Sequence, residues 1–482
     1  MTPVAMVVLP TPLRTPAMTM VAAIQISLLQ MPWPVSGAHY NRRPAKTQMT
    51  PAAPCTARLT SDRSEHTFRS IWKEYIVPSR YGEVMPKLEV LSEIQRKSML
   101  MWPCVDHDDT PWTPMAKPLF ESKVALVTTA GLHVRGDKPF IATQKGGDTS
   151  FRVIPRSAGV NDIVQSHTSI GFDHTGIYRD LNVTFPIDRL KELVDDGKIG
   201  SLSDNYYSFM GALRDVTGVV EESGPEVARR LKDEGVEVVL LPPTCPACSH
   251  AVSVIARVFE EEGLTTTGVV LIEEHAQRVK PPRMLAVPFF FGNALGEPDN
   301  PEYQHRVLQA TFDLLDREQG PVLEQLPDDM VPDILMQGSE TTISEEAAKL
   351  NAADELTSLR TYYEQWVDAH NGRTAVGLSG IAQRRFRGVV RFLEGYVAGE
   401  DVDMKERPAD TSVAQYIRYC VDDLKAFYYE ARMAQRPDGP YKEIHNWFWS
   451  DTAMGALTMD LAQKMRDSDD EVAKAVAYGI AR

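Results

Sequence analysis

Residues 236–250, Val-Glu-Val-Val-Leu-Leu-Pro-Pro-Thr-Cys-Pro-Ala-Cys-Ser-His, decide the fold. Val236–Leu241 is a short apolar run rich in β-branched residues, and such a run bounded by turn residues reads as a buried strand. From Cys245 to Glu262 the pattern changes. Val252, Ile255, Ala256 and Phe259 recur at helical spacing, and Gly263 stands just past the end. A strand, a tight turn and a helix form the repeating unit of a parallel α/β sheet. The same alternation extends upstream. Val124–Thr129 reads as a strand turning at Ala130-Gly131. Helices are expected around Leu190, Leu193 and Val194, stopped by Gly197, and around Val227, Ala228 and Leu231, closed by Gly235. Downstream, Gly268–Ile272 and Met284–Phe291 read as further strands. The order predicts an open, largely parallel sheet flanked by helices.

After Pro332 strand signals nearly vanish. Helical stretches follow at Glu345–Leu359, Ala382–Tyr396, Val413–Ala434 and Ser450–Met465, with breaks near Gly338-Ser339, Gly399 and Pro437-Asp438-Gly439-Pro440. The reading is therefore an N-terminal extension over 1–65, an α/β domain with a Cys-x-x-Cys motif over 66–330, and an α-helical C-terminal domain over 331–482. The extension holds nine prolines and no acidic residue before Asp62, whereas Arg14, Arg42, Arg43, Lys46 and Arg58 are basic. It reads as a disordered tail or an over-long start. The apolar segment Ala17–Met31 offers the alternative of a targeting signal, interrupted by Gln25 and Gln30.

The chain as a whole has 482 residues and a net charge of −15. That balance speaks against a general nucleic-acid binder or a protein of anionic membrane surfaces. No apolar run is long enough for a transmembrane helix. The five cysteines (Cys55, Cys104, Cys245, Cys248 and Cys420) are too few and too unevenly spaced for a disulfide framework. A reducing compartment, the cytoplasm, is expected.

Cys245 and Cys248 stand where the best strand hands over to a helix. Free N–H groups and the positive end of the helix dipole stabilise a thiolate there. A second cysteine three residues on lies one turn away, close enough to resolve a mixed disulfide. Three readings of the pair stay open at this point. It is a redox pair with Cys245 as nucleophile and Cys248 as resolving partner, or a site for zinc or another soft metal recruiting His250, Cys104 or His275, or two inert core thiols. Ser249 after the second cysteine rules out a c-type haem attachment. Gly131–Gly136 does not fit the dinucleotide fingerprint, and no phosphate loop of the Walker type is present.

Val236–His250, Ser166–Leu190 (SHTSIGFDHTGIYRDLNVTFPIDRL) and Pro288–Pro298 (PFFFGNALGEP) together resemble the glycine/sarcosine/betaine reductase selenoprotein B family, which includes the selenocysteine subunit of D-proline reductase. The resemblance covers roughly Lys123–Glu318. It places Cys245 at the selenocysteine position and so implies a cysteine-containing relative. Its implications are reductive chemistry on a small substrate, an amino acid or an amine, and a partner subunit. Electrons would come from an external dithiol or an electron-donor protein, and a homo-oligomer is compatible with the same reading. The segment Asn446-Trp447-Phe448-Trp449 is similar to an appendage on some cysteine-bearing relatives.

Four polar residues between 167 and 189 complete the candidate site. His174, with His250, is expected to act as an acid, base or thiolate partner. His167, Arg179 and Arg189 are candidates for binding substrate, the arginines by clamping a carboxylate. The simpler reading of the arginines is pairing with Asp180 and Asp188. Asp106-His107-Asp108-Asp109 reads as an exposed loop, the arginines of 384–391 as a solvated face, and the aromatics of 427–429 and 447–449 as core.

Overall fold

The computed structural model describes residues 93–481 except 144–145, 170, 328–343, 345–349, 438 and 440–441. The N-terminal extension, Cys55 and the Gly338-Ser339 break lie outside the described residues. The described residues belong to one compact unit, Met85–Arg482.

Ten strands are described: β1 (Lys123–Thr128), β2 (Leu132–Val134), β3 (Phe151–Pro155), β4 (Ile163–Gln165), β5 (Ser201–Leu202), β6 (Asn205–Phe209), β7 (Val238–Leu241), β8 (Thr265–Val270), β9 (Arg283–Ala286) and β10 (Val322–Gln325). The main sheet runs β10-β9-β8-β7-β1-β6-β3, with β5 beside the start of β1. Its pairings are parallel except for β3, which pairs antiparallel to β6. Val124 faces Val238, and Val238 faces Thr265. The central strands β7 and β8 are buried along their whole length, as parallel strands covered on both faces must be. A separate antiparallel pair, β2 with β4, joins Leu132 to Gln165 and delivers the chain to His167.

The helices are α1 (Glu93–Leu100), α2 (Thr175–Arg179), α3 (Ile187–Asp195), α4 (Gly224–Asp233), α5 (Cys248–Glu261), α6 (Glu273–Val279), α7 (Pro301–Phe312), α8 (Ala352–Ala369), α9 (Phe386–Ala398), α10 (Val413–Gln435), α11 (Lys442–Asp451), α12 (Ala453–Arg466) and α13 (Glu471–Ala477). The α/β arrangement followed by helices matches the expected fold class.

Several boundaries differ from those expected. The helix after β7 starts at Cys248, not Cys245, because Pro246 occupies the second place of a turn closed by the Cys248 N–H donating to Cys245 O. The strand expected over Met284–Phe291 stops at Ala286, ahead of Pro288. Ser450–Met465 is two helices, since Thr452 breaks the run and caps α12 by accepting from the Gly455 N–H at 3.0 Å.

One apolar core joins the sheet to the C-terminal helices. It runs from Val124, Leu126 and Leu240 through Leu356, Val390 and Tyr429 to Ala477 and Ile480. The opposite face of the sheet packs under α4, α5 and α6 through Val127, Val239, Leu231 and Phe259. The aromatics of 427–429 and 447–449 lie in the first core or against it.

Candidate active site

The chain passes from β1 to β5 and β6 on one side, then crosses back to β7 on the other. Where strand order reverses in this way, the carboxyl ends of neighbouring strands leave a crevice that is the usual ligand site of α/β sheets. Cys245 and Cys248 occupy this place, after β7 and against the carbonyl of Thr129 at the end of β1, which is 3.5 Å from Cys248 Sγ.

Both thiols are fully buried, and Phe172 and Ala247 pack with them into a small apolar cluster that Trp102 and Phe291 adjoin. The sulfurs are 3.0 Å apart. Each accepts a backbone N–H of the other residue: Cys245 N–H donates to Cys248 Sγ at 3.1 Å, and Cys248 N–H to Cys245 Sγ at 3.2 Å. Gly211 makes room for this packing. A Cβ there would overlap Cys248 Sγ and stand 3.0 Å from the Thr129 carbonyl.

His167 breaks the symmetry between the two sulfurs. Its Nε2 lies 3.5 Å from Cys248 Sγ. On the other side of the ring, Nδ1 accepts the Ser169 backbone N–H at 3.0 Å. A nitrogen that accepts carries no proton, so the neutral ring holds its proton on Nε2, aimed at Cys248. Burial pushes the Cys248 thiol up, but the Cys245 thiol and His167 outweigh it, and its pKa falls well below the ordinary thiol value. Burial, with the hydrogen bond and charge of Cys248, holds Cys245 well above that value. Both directions favour Cys248, the first residue of α5, over Cys245 as the more acidic thiol of the reduced pair. This is the reverse of the order expected from position alone.

His167, Cys245 and Cys248 also bring three potential ligand atoms within 4.8 Å of one another. With its proton on Nε2, however, His167 presents no lone pair to a metal there. Freeing one would move the proton to Nδ1, against the N–H of Ser169. The sulfurs alone fall short of the four ligands of a closed zinc site.

The remaining candidates lie elsewhere. His174 is buried and stacks on Phe172, with centroids 4.1 Å apart, while Phe172 packs edge-on to His167. Burial drives the His174 pKa far down, so its ring is neutral. His250 points away from the sulfurs, its ring edge-on to His275, neither nitrogen has a partner, and burial lowers its pKa to about 3. Arg179 pairs with Asp299 at 2.5 Å. Arg189 pairs with Glu192 at 2.7 Å and reaches Gln304 at 3.3 Å. Neither arginine contacts the thiol loop. Asp106 and Asp109 are engaged by Arg278 and Arg257.

Arg418 of α10 reaches the His167 segment instead: its Nη2 donates to the carbonyls of His167 at 2.5 Å and Ser166 at 3.3 Å. Sequence reading did not single out Arg418, Ser169 or Gly211. Gly211, just past a strand at a sheet's carboxyl end, carries a readable signal of close approach. Arg418 carries no such local mark, since the same helix holds other charged residues, Asp422, Asp423, Lys425 and Glu430 among them.

Comparison with known proteins places the chain. The family profile of glycine/sarcosine/betaine reductase selenoprotein B matches residues 94–244. The D-proline reductase subunit gamma of Acetoanaerobium sticklandii is 40% identical over 196 residues, 41% of this chain and 79% of that protein. The chain belongs to the selenoprotein B family. Other members are more distant. The glycine reductase complex component B subunit gamma of Carboxydothermus hydrogenoformans is 25% identical over 52% of this chain and 57% of its own length. The sarcosine reductase complex component B subunit beta of Peptoclostridium acidaminophilum is 26% identical over 41% and 45%. The chain thus spans about half the length of these two. No solved structure matches. These selenoprotein B relatives are subunits of reductase complexes. The profile match ends at Thr244, immediately before Cys245. Among the described residues, no helix is long and apolar enough to cross a membrane.

Proposed function

We propose that this chain is the dithiol-bearing subunit of a cytoplasmic reductase that acts on a small amino-acid or amine substrate. The observation that carries the reading is the Ser169 N–H on His167 Nδ1, which commits the other ring nitrogen to donate to Cys248. Cys248 is the thiolate and Cys245 the protonated thiol. The dipole at the start of α5 and the apolar packing of Phe172 and Phe291 reinforce that polarity by strengthening each short-range interaction.

In the net reaction the two thiols become one disulfide. The sulfurs must close by about 1 Å from their present separation to reach bonding distance. The two electrons and two protons released cleave a carbon–nitrogen bond of the substrate, which ends as C–H and N–H. An external dithiol or an electron-donor protein then returns the disulfide to two thiols. The relatives' membership in multi-subunit complexes supports a partner subunit in that exchange.

Mild oxidation followed by acid quench and peptide mass spectrometry tests the reading. We expect one reversible Cys245–Cys248 disulfide, with Cys104 and Cys420 remaining thiols. Zinc held tightly in one-to-one ratio by the purified protein, with no such disulfide, would support the soft-metal reading instead.

A further inference from the structure

Helix α10 carries buried cations beside the segment that leads to His167 without fully pairing them. On α10, Arg418, Asp422 and Lys425 follow at helical spacing and share one face. Arg418 is fully buried, and its contacts all run through Nη2: the Ser166 and His167 carbonyls and, at 3.1 Å, the carboxylate of Asp422. Its Nε and Nη1 carry most of the guanidinium's N–H bonds and have no partner. Lys425 is also buried, and its ammonium meets the same Asp422 at 3.4 Å. Burial holds its pKa below the ordinary lysine value. One carboxylate thus serves two buried cations, and leaving N–H groups of a buried cation unpaired is costly.

Gly479 flanks Arg418 Nε without a side chain, and a Cβ there would stand 3.4 Å from that nitrogen. Asp173 lies near Lys425 and 3.6 Å from His445 Nδ1, which is itself 2.8 Å from the Tyr429 hydroxyl. Thr168 and Asp173 are half-buried, so solvent reaches the rim.

We propose that Arg418 and Lys425 form a receptor for the carboxylate of a small-molecule substrate, placed beside the Cys245–Cys248 pair by the grip of Arg418 on His167. This rests on the dithiol-reductase reading for the identity of the bound molecule as substrate. A monocarboxylate suits the cluster better than a dianion such as phosphate. Asp422 offsets one of the two positive charges and a monocarboxylate would offset the other, whereas a dianion would leave the cluster negative.

Ligand-observed proton relaxation on the full chain tests the receptor, with acetate as probe and acetamide and inorganic phosphate as comparisons. Acetate should bind saturably and acetamide should not. Lys425→Met should weaken acetate by about tenfold or more, as loss of a charge-assisted partner does. Arg418→Lys, which keeps the charge but not the planar fork, should weaken it too. The Cys245→Ser/Cys248→Ser double variant separates the two claims. Acetate binding that persists there while no disulfide forms in the native protein would retain the receptor and refute the dithiol chemistry. Equal acetate binding by the native protein and Lys425→Met, no acetate binding at all, or a preference for phosphate would overturn the carboxylate receptor.

Discussion

At the scale of single residues, the site is built by one imidazole and one missing side chain. His167 gives Cys248 a proton donor, and Gly211 gives its sulfur room. Replacing Gly211 with alanine forces Cys248 Sγ or the Thr129 carbonyl to move, and overpacking of this kind costs about 1–3 kcal/mol. Denaturant unfolding of Gly211→Ala should show that loss. An unchanged midpoint would mean that the crevice is looser than the packing of Gly211 implies. The sequence marked the cysteines and His167 because their chemistry is local, carried by spacing around a strand end. It directed the search for a substrate cation toward Arg179 and Arg189, which lie near His167 in sequence and pair with Asp299 and Glu192. The arginine that meets the His167 carbonyl is 251 positions away from it, and no local pattern records such a contact.

At the scale of elements, α10 is the organising helix of the C-terminal region. Asp423 on this helix accepts the backbone N–H groups of Gly377, Leu378 and Ser379, fixing the segment that leads to α9. About two turns further, Glu430 accepts from the Thr374 hydroxyl and the Ala375 N–H, both at 2.6 Å. Burial nevertheless raises its pKa from 4.5 to about 7. The fold therefore favours protonated Glu430. Its contribution to stability is complete below pH 4.5 and is lost as pH rises through about 7. Glu430→Gln removes that titration, and at pH 8 it should be more stable than the native protein by up to about 3 kcal/mol. Unfolding curves at pH 5 and pH 8 measure it, and equal pH dependence in the two proteins would refute it. The sequence showed α10 through its long helical periodicity, starting at Val413 as expected. It could not show where α5 begins, because Pro246 suits both a helix start and the turn that precedes one.

At the scale of the whole molecule, the α/β sheet and the C-terminal helices share one apolar core from Val124 to Ile480. A shared core of that extent couples the unfolding of its parts. Heating the full chain should give one calorimetric transition with matching calorimetric and van't Hoff enthalpies, whereas two resolved transitions would show the helices to be an independent unit. The alternation of strands and helices was readable before Pro332 because each element carries its own period. The docking of the helices on the sheet was not, since burial of a helix face leaves no mark of which surface covers it.

The central claim is that the reduced pair carries its charge on Cys248, held there by His167. Carbon-13 labelling at cysteine Cβ, followed by NMR against pH in the reduced full chain, reads the ionisation of each thiol without requiring reagent access to the buried sulfurs. The account predicts that Cys248 ionises at a pH below the ordinary thiol value of about 8.5 and Cys245 above it. His167→Ala should move Cys248 upward. Ionisation of Cys245 before Cys248, or of both thiols only above the ordinary value, would contradict it.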